Sequence, residues 1–167
     1  MINVRTIMGE MKIRPIIQED KHRLREILQR AQIFSPEEID VAMELIDIVL
    51  ARPGQKDYEI SCFVDERNLP LGYICFGPIP MTKGAFDLYW IVVDPPYQGN
   101  RIGSRLLDFL EERVKSLNGR MILVDTSSLP SYEKTQRFYR SKGYQEVARV
   151  PDFYWPGNDR ITYCKKL

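Results

Sequence analysis

Histidine is almost missing from this chain: His22 is the only one among 167 residues, and it sits in the charged run "QEDKHRLRE". Nothing nearby supplies a ligand set or a triad, so the residue is expected on a helix surface. Cysteine is scarce too. Cys62, Cys75 and Cys164 are odd in number and widely spaced. They make neither a metal-binding pattern nor a disulfide framework, and are expected as reduced thiols in a cytoplasmic protein. No apolar run approaches the roughly 20 residues of a membrane span. The opening "MINVRTIMGE" has no apolar stretch of the secretory kind. Residues 1–10 are expected to be an N-terminal extension, with the functional domain in 11–167. Charge of one sign is lacking as well: Lys and Arg total 24 against 23 for Asp and Glu. That excludes nucleic-acid binding through bulk positive charge. No repeat, linker or low-complexity segment interrupts the chain.

What is present is a regular succession of periods. "MKIRPI" (Met11 to Ile16) alternates and predicts a strand. A polar-rich helix is expected from about Gln18 to Ala31. A second helix opens at Ser35-Pro36, with Glu38 completing a capping box, and Arg52-Pro53-Gly54 stops it. Ile39, Met43, Ile46 and Leu50 are spaced to form its apolar face. The period then becomes two. Tyr58–Val64, Leu69–Gly77 and Ala85–Val93 predict three consecutive strands, and Pro95-Pro96 ends the third. A helix follows, with Ile102, Leu106, Phe109, Leu110, Val114 and Leu117 on one face and Asn118-Gly119 closing it. Arg120–Asp125 predicts a strand and Ser131–Gly143 a helix. Tyr144–Val150 and Arg160–Lys166 predict two last strands, joined by an aromatic loop, "PDFYWPGND" (Pro151 to Asp159). The fold class is α/β (α+β): one domain with a mixed, mostly antiparallel sheet of six to seven strands and four helices.

One junction stands out. Between the strand "DLYWIVV" and the helix "SRLLDFLEERV" lies Gln98-Gly99-Asn100-Arg101-Ile102-Gly103-Ser104. Backbone N–H groups at a helix start have no intrahelical acceptor and carry the positive end of the helix dipole. With glycines that allow close approach, they suit a phosphate. The loop is no P-loop, because Gly-Lys-Ser/Thr is absent, and its spacing is not that of the dinucleotide fingerprint. Taken alone it also reads as a tight strand-to-helix turn with a glycine for close packing.

The order of elements, with "VVDPPYQGNRIGSRLL" in the middle and "RFYRSKGY" one strand and one helix later, resembles the GNAT superfamily of acyl-CoA-dependent N-acetyltransferases over nearly all of 11–167. The family's loop runs Arg/Gln-x-x-Gly-x-Gly/Ala. Gln98 matches its first position and Gly103 its last, while Arg101 stands where the family has glycine. A non-glycine residue is tolerated there if the position needs no positive φ, and tolerance is the expectation. The resemblance implies acetyl-CoA as co-substrate and no metal. It implies that the backbone of Ile91, Val92 and Val93 pairs with the pantetheine arm. Residues Gln98, Gly99, Asn100, Arg101, Ile102, Gly103 and Ser104 then hold the pyrophosphate. Ser127, in the stretch leaving the next strand, lies where the family's sheet splays apart. Thr135, Phe138 and Tyr139 line the coenzyme's other side.

Acyl transfer to an amine needs a neutral amine, a stabilised oxyanion and a proton for the leaving thiolate. Tyr139 occupies the place of the family's tyrosine general acid; as a plain residue it is a core aromatic, since either it or Phe138 must face inward. Asp87, eleven residues before Gln98, is the candidate base, with Glu59 as a second candidate, and an amine that arrives neutral needs neither. A covalent route through Cys75 lacks an activating histidine. Phe153, Tyr154 and Trp155 beside Asp159 suit an amine-bearing acceptor, a lid or a dimer contact. The expected acceptor is a primary amine of a small molecule or peptide, attacked directly in a ternary complex by a monomer or homodimer without nucleic acid or membrane. The alternatives are a longer acyl donor, a non-catalytic acyl-CoA-binding domain with a degenerate loop, and a structural interaction domain.

Overall fold

The computed structural model describes residues 11–167, so the expected extension at 1–10 lies outside the described residues. Seven strands are β1 (Lys12–Pro15), β2 (Glu59–Val64), β3 (Pro70–Pro78), β4 (Ala85–Val93), β5 (Met121–Ser127), β6 (Gln145–Trp155) and β7 (Asn158–Lys166). Four α-helices are α1 (Lys21–Ala31), α2 (Pro36–Ala51), α3 (Ile102–Ser116) and α4 (Glu133–Ser141). Short 3₁₀ turns precede α1 and α4. The strand order is β1-β2-β3-β4-β5-β7-β6. β1 with β2, β5 with β7 and β6 with β7 pair antiparallel, whereas β4 and β5 pair parallel. No helix among the described residues is long and apolar enough to cross a membrane.

The chain forms two compact units. One contains the segment up to Cys75 together with Trp90–Phe109; the other contains Phe76–Tyr89 and Leu110–Leu167. In the first, α1 buries Leu24, Ile27 and Leu28, and α2 buries Ala42, Met43 and Ile46. The α2 start is the expected capping box: Ser35 Oγ accepts from Glu38 N at 3.2 Å, and Glu38 Oε2 accepts from Ser35 N at 2.7 Å. Of its expected apolar face, Ile39 and Leu50 are only half-buried. Ala42 takes the inner place because a small residue lets the helix approach closely. β2 and β3 are buried along almost their whole length, so they carry continuous apolar runs rather than alternation. Gly72 lies against β4, and a Cβ there would come within 2.7 Å of the Val92 carbonyl oxygen. Gly72→Ala is therefore expected to cost about 2 kcal/mol by forcing the backbones apart, read as a lower urea midpoint.

In the second unit, Tyr139 of α4 packs its ring 5.8 Å from Tyr144 and 6.1 Å from Tyr163. α3 ends one residue before Leu117, which is therefore 43% exposed rather than on the apolar face. Asn118 at φ 58° turns the chain there. β5 runs on through Thr126 and Ser127. The largest departure concerns the aromatic stretch: residues 151–155 are not loop but the end of β6. Trp155 registers with Asn158, and only Pro156-Gly157 forms the turn. Pro151 and the positive φ of Asp152 break the ladder locally, which is why the segment reads as a loop in sequence. Asp159 mends the break by accepting from Asp152 N at 3.0 Å, and Asp152 accepts from Gly157 N at 2.7 Å.

Candidate functional site

In the first unit the end of β4 runs into the glycine loop. Asp94 N donates to Leu71 O at 2.8 Å, and Asp94 O accepts from Tyr97 N at 2.8 Å. Pro95–Tyr97 is one 3₁₀ turn, favoured because proline sets φ for it and needs no donor. Gln98 N then donates to Pro95 O at 3.2 Å. Two side-chain amides brace the loop: Gln98 Nε2 donates to Val93 O at 3.3 Å, and Asn100 Nδ2 donates to Tyr97 O at 3.0 Å. Residues 98–101 are exposed, Gly103 and Ser104 are half-buried, and Ile102 is buried as the helix's first anchor. The first helical bond at this end runs from Arg105 N to Arg101 O at 3.0 Å. The N–H groups before it have no helical acceptor.

Gly99 has φ 82° and Arg101 φ 60°, with Asn100 between them not in the positive region. Alternation of sign along the backbone turns successive N–H groups toward one side, the arrangement that binds anions. This corrects the expectation about Arg101. The position does adopt positive φ, and arginine is accepted there in the left-handed region at a cost of about 1–2 kcal/mol. Glycine would remove that strain but add about 0.5–1 kcal/mol of unfolded-chain entropy. Arg101→Gly is expected to gain about 0.5 kcal/mol net, checked by chemical denaturation.

In the second unit Tyr139 is only 3% exposed. Burial pushes its phenol well above the usual tyrosine range, so it holds its proton throughout the physiological range. It, and not Phe138, takes the inward place; Phe138 and Thr135 are half-buried. Asp87 sits in parallel register with Leu123. Its carboxyl is raised above the ordinary range, first by burial and then by the like charge of Asp125. Asp125 accepts from Thr162 Oγ1 at 2.5 Å and lies 3.8 Å from Arg160 Nε. The Arg160 guanidinium stands 4.3 Å over the Phe153 ring, so a cation already occupies that aromatic face. Ser127 is buried and its hydroxyl is engaged within the chain: it donates to Asn158 Oδ1 at 2.5 Å and accepts from Leu129 N at 3.1 Å. Ser127 O accepts from Gln136 Nε2 at 2.8 Å. The side chain thus anchors the corner after β5.

Cys75 is buried and its thiol is pushed up to about 12 by desolvation. It is not a nucleophile at neutral pH. His22 is exposed on α1 within 3.4 Å of Glu26, as expected of a surface residue.

Sequence reasoning missed one residue of this region. Asp94 is fully buried, and its carboxylate is gripped by Arg23 and Arg30 of α1. The signals were an acid directly before Pro95-Pro96 and two arginines seven residues apart, two turns of one helix face.

A family model for the "Acetyltransferase (GNAT) domain" matches residues 58–146. A GNAT-family crystal structure from Desulfovibrio desulfuricans is similar to this chain at 33% identity and TM-score 0.89, covering 93% of this chain and 98% of that one. An aminoglycoside 6'-N-acetyltransferase complexed with coenzyme A shares the fold at 21% identity and TM-score 0.71, covering 93% of this chain and 97% of that one. So does the ribosomal-protein-S18-alanine N-acetyltransferase from Escherichia coli, at 17% identity and TM-score 0.74, with 93% of each chain covered. No curated protein matches the chain.

Proposed function

Because the chain belongs to the GNAT acetyltransferase family, we propose that it moves an acetyl group from acetyl-CoA to a primary amine of a small molecule or peptide, by direct attack in a ternary complex. The observation that carries this reading is the loop from Gln98 to Ser104. Its alternating φ and its N–H groups without helical acceptors form an anion cradle at the head of α3. When bound, acetyl-CoA supplies an acyl group activated as a thioester. The cradle holds its pyrophosphate through main-chain N–H groups, and Ile91–Val93 offers strand backbone to its amide arm. Tyr139 Oη holds a proton for the leaving sulfur, and Asp87 takes one from the incoming ammonium. Burial and the charge of Asp125 raise the Asp87 carboxyl, which makes it a stronger base than an exposed aspartate.

The names of two proteins with this fold cover an aminoglycoside and the alanine of a ribosomal protein. Both acceptor kinds therefore belong in a test panel. Three free cysteines fit a reducing cytoplasm.

The test is thermal unfolding with acetyl-CoA at about 100 Kd, where binding stabilises the fold by about 2.7 kcal/mol, followed by release of free thiol with a panel of amines. No stabilisation removes the coenzyme reading. Stabilisation without thiol release from any amine favours the second reading, a coenzyme-binding domain without turnover.

Asp87→Asn is expected to lower the plateau rate by about 10²-fold and to abolish the acidic limb of the pH–rate profile. That limb reflects loss of the base as pH falls through a carboxyl range raised by burial and by Asp125. The sign for stability is opposite to that of a salt-bridged acid. The charged form is disfavoured in the fold, so Asn is at least as stable at neutral pH, and its advantage fades as pH falls through the raised carboxyl range and is gone below the ordinary carboxylate range. An unchanged pH profile eliminates Asp87 as the base.

A further inference from the structure

We infer that Asp94 is the positioning residue of the coenzyme cradle, and that Arg23 and Arg30 act through it to couple α1 to the loop; this rests on the coenzyme reading above. Asp94 is the joint between the strand and the loop. On one side Val93 O receives the Gln98 amide, and on the other Pro95 begins the turn that Gln98 caps. Its own N–H and C=O are tied to Leu71 O and Tyr97 N. That leaves the carboxylate, which is completely buried and, among the described residues, is met by Arg23 and Arg30. Arg23 Nη2 donates to Oδ2 in a short contact, and Arg30 Nη1 donates to Oδ2 at 3.0 Å and to Oδ1 at 3.2 Å. Arg23 also donates through Nε to Pro70 O at 3.1 Å, bracing the start of β3 to the same corner.

Stability alone does not explain this arrangement. Buried ion groups are commonly no better than apolar residues of equal volume. What charge-assisted hydrogen bonds add is direction: they permit one orientation of the carboxylate and so one course of the backbone on either side of it. Arg30 is 54% exposed, so it fills no core, and its contact with Asp94 is the one that orients. A rotation at Asp94 would swing every N–H group from Gln98 to Ser104 away from a bound pyrophosphate.

The two arginines are distinguishable. Arg30 uses a single nitrogen for both of its contacts, so a lysine ammonium can replace it. Arg23 uses Nε and Nη2 on different partners, a fork lysine cannot make. The experiment is calorimetric titration of coenzyme A into the full-length wild type, R30Q, R30K and R23K, with melting of each apo protein and steady-state kinetics alongside. R30Q is expected to weaken coenzyme A binding roughly tenfold, with its apo melting midpoint within about 3 °C of wild type. Its coenzyme KM rises with kcat unchanged at saturation. R30K is expected to restore affinity and R23K to fail to. A wild type that binds coenzyme A, with R30Q binding equally well or R30K as weak as R30Q, overturns the positioning role while leaving the coenzyme reading intact. A wild type that does not bind coenzyme A overturns both.

Discussion

Replacing Tyr139 by phenylalanine is expected to lower kcat by about 10²-fold or more while leaving coenzyme affinity unchanged. The substitution removes one oxygen and keeps the ring, which stays packed against Phe138, Tyr144 and Tyr163. Folding is therefore preserved, and the loss is chemical. Burial raises the phenol above its usual range, which sets the pH behaviour. An acid is useful while it holds its proton, and activity is lost as pH rises through its pKa in the fold. Tyr139 thus contributes no alkaline limb below the ordinary tyrosine range near pH 10. Steady-state kinetics of wild type and variant across pH 6–10, with coenzyme titration, separate the effects. Equal kcat in the two proteins takes Tyr139 out of the mechanism and leaves it a core aromatic.

Removal of the Asp94 carboxylate has the largest expected effect on the fold. In Asp94→Ala the arginines of α1 lose their shared partner, and Arg23, only 14% exposed, keeps as its counter-charge the half-exposed Glu26, 3.2 Å from Nη1, while Nη2 is left facing a buried methyl group. Breaking one side of such a group costs about 3–5 kcal/mol. For a domain of this size that lowers the melting midpoint by about 10 °C, and it is a large share of the roughly 5–15 kcal/mol that holds a domain folded. Differential scanning calorimetry reads it directly. A midpoint within 2 °C of wild type would mean that Glu26 alone compensates the Arg23 charge and that the Asp94 carboxylate does not hold the fold. A second variant helps: Asp94→Asn keeps the shape and some hydrogen bonds, so its midpoint should lie between those of wild type and Asp94→Ala.

Much of the secondary structure was legible because its causes are local. Ser35, Pro36 and Glu38 start a helix wherever they occur in that order, since the cap bonds join residues three apart. Arg52-Pro53-Gly54 stops one for the same reason. β4 runs from Ala85 to Val93, where its β-branched and aromatic run places it. The glycine loop was legible as a candidate cradle because the deficit of acceptors at a helix start is a property of any helix. The end of β6 was not legible. Pro151 and Asp152 locally oppose a strand, and only pairing with β7 overrides them.

The remaining decisions belong to contacts between distant residues. That β7 lies between β5 and β6, and that β4 meets β5 in parallel, follows from which surfaces pack together and from no spacing in the chain. That the Ser127 hydroxyl is held by Asn158, thirty-one residues on, could not be read from the stretch around it. Arg101 looked free to avoid positive φ, but the turn between Tyr97 and Arg105 imposes it. The sequence by itself determined the order of strands and helices, the loop chemistry and the family, because these depend on residues within a few positions of one another. Only the tertiary structure decided which of Phe138 and Tyr139 is buried, and that Asp94 is the corner of the cradle. Its two partners lie 71 and 64 residues away, and burial of a charge has meaning only once the chain has closed around it.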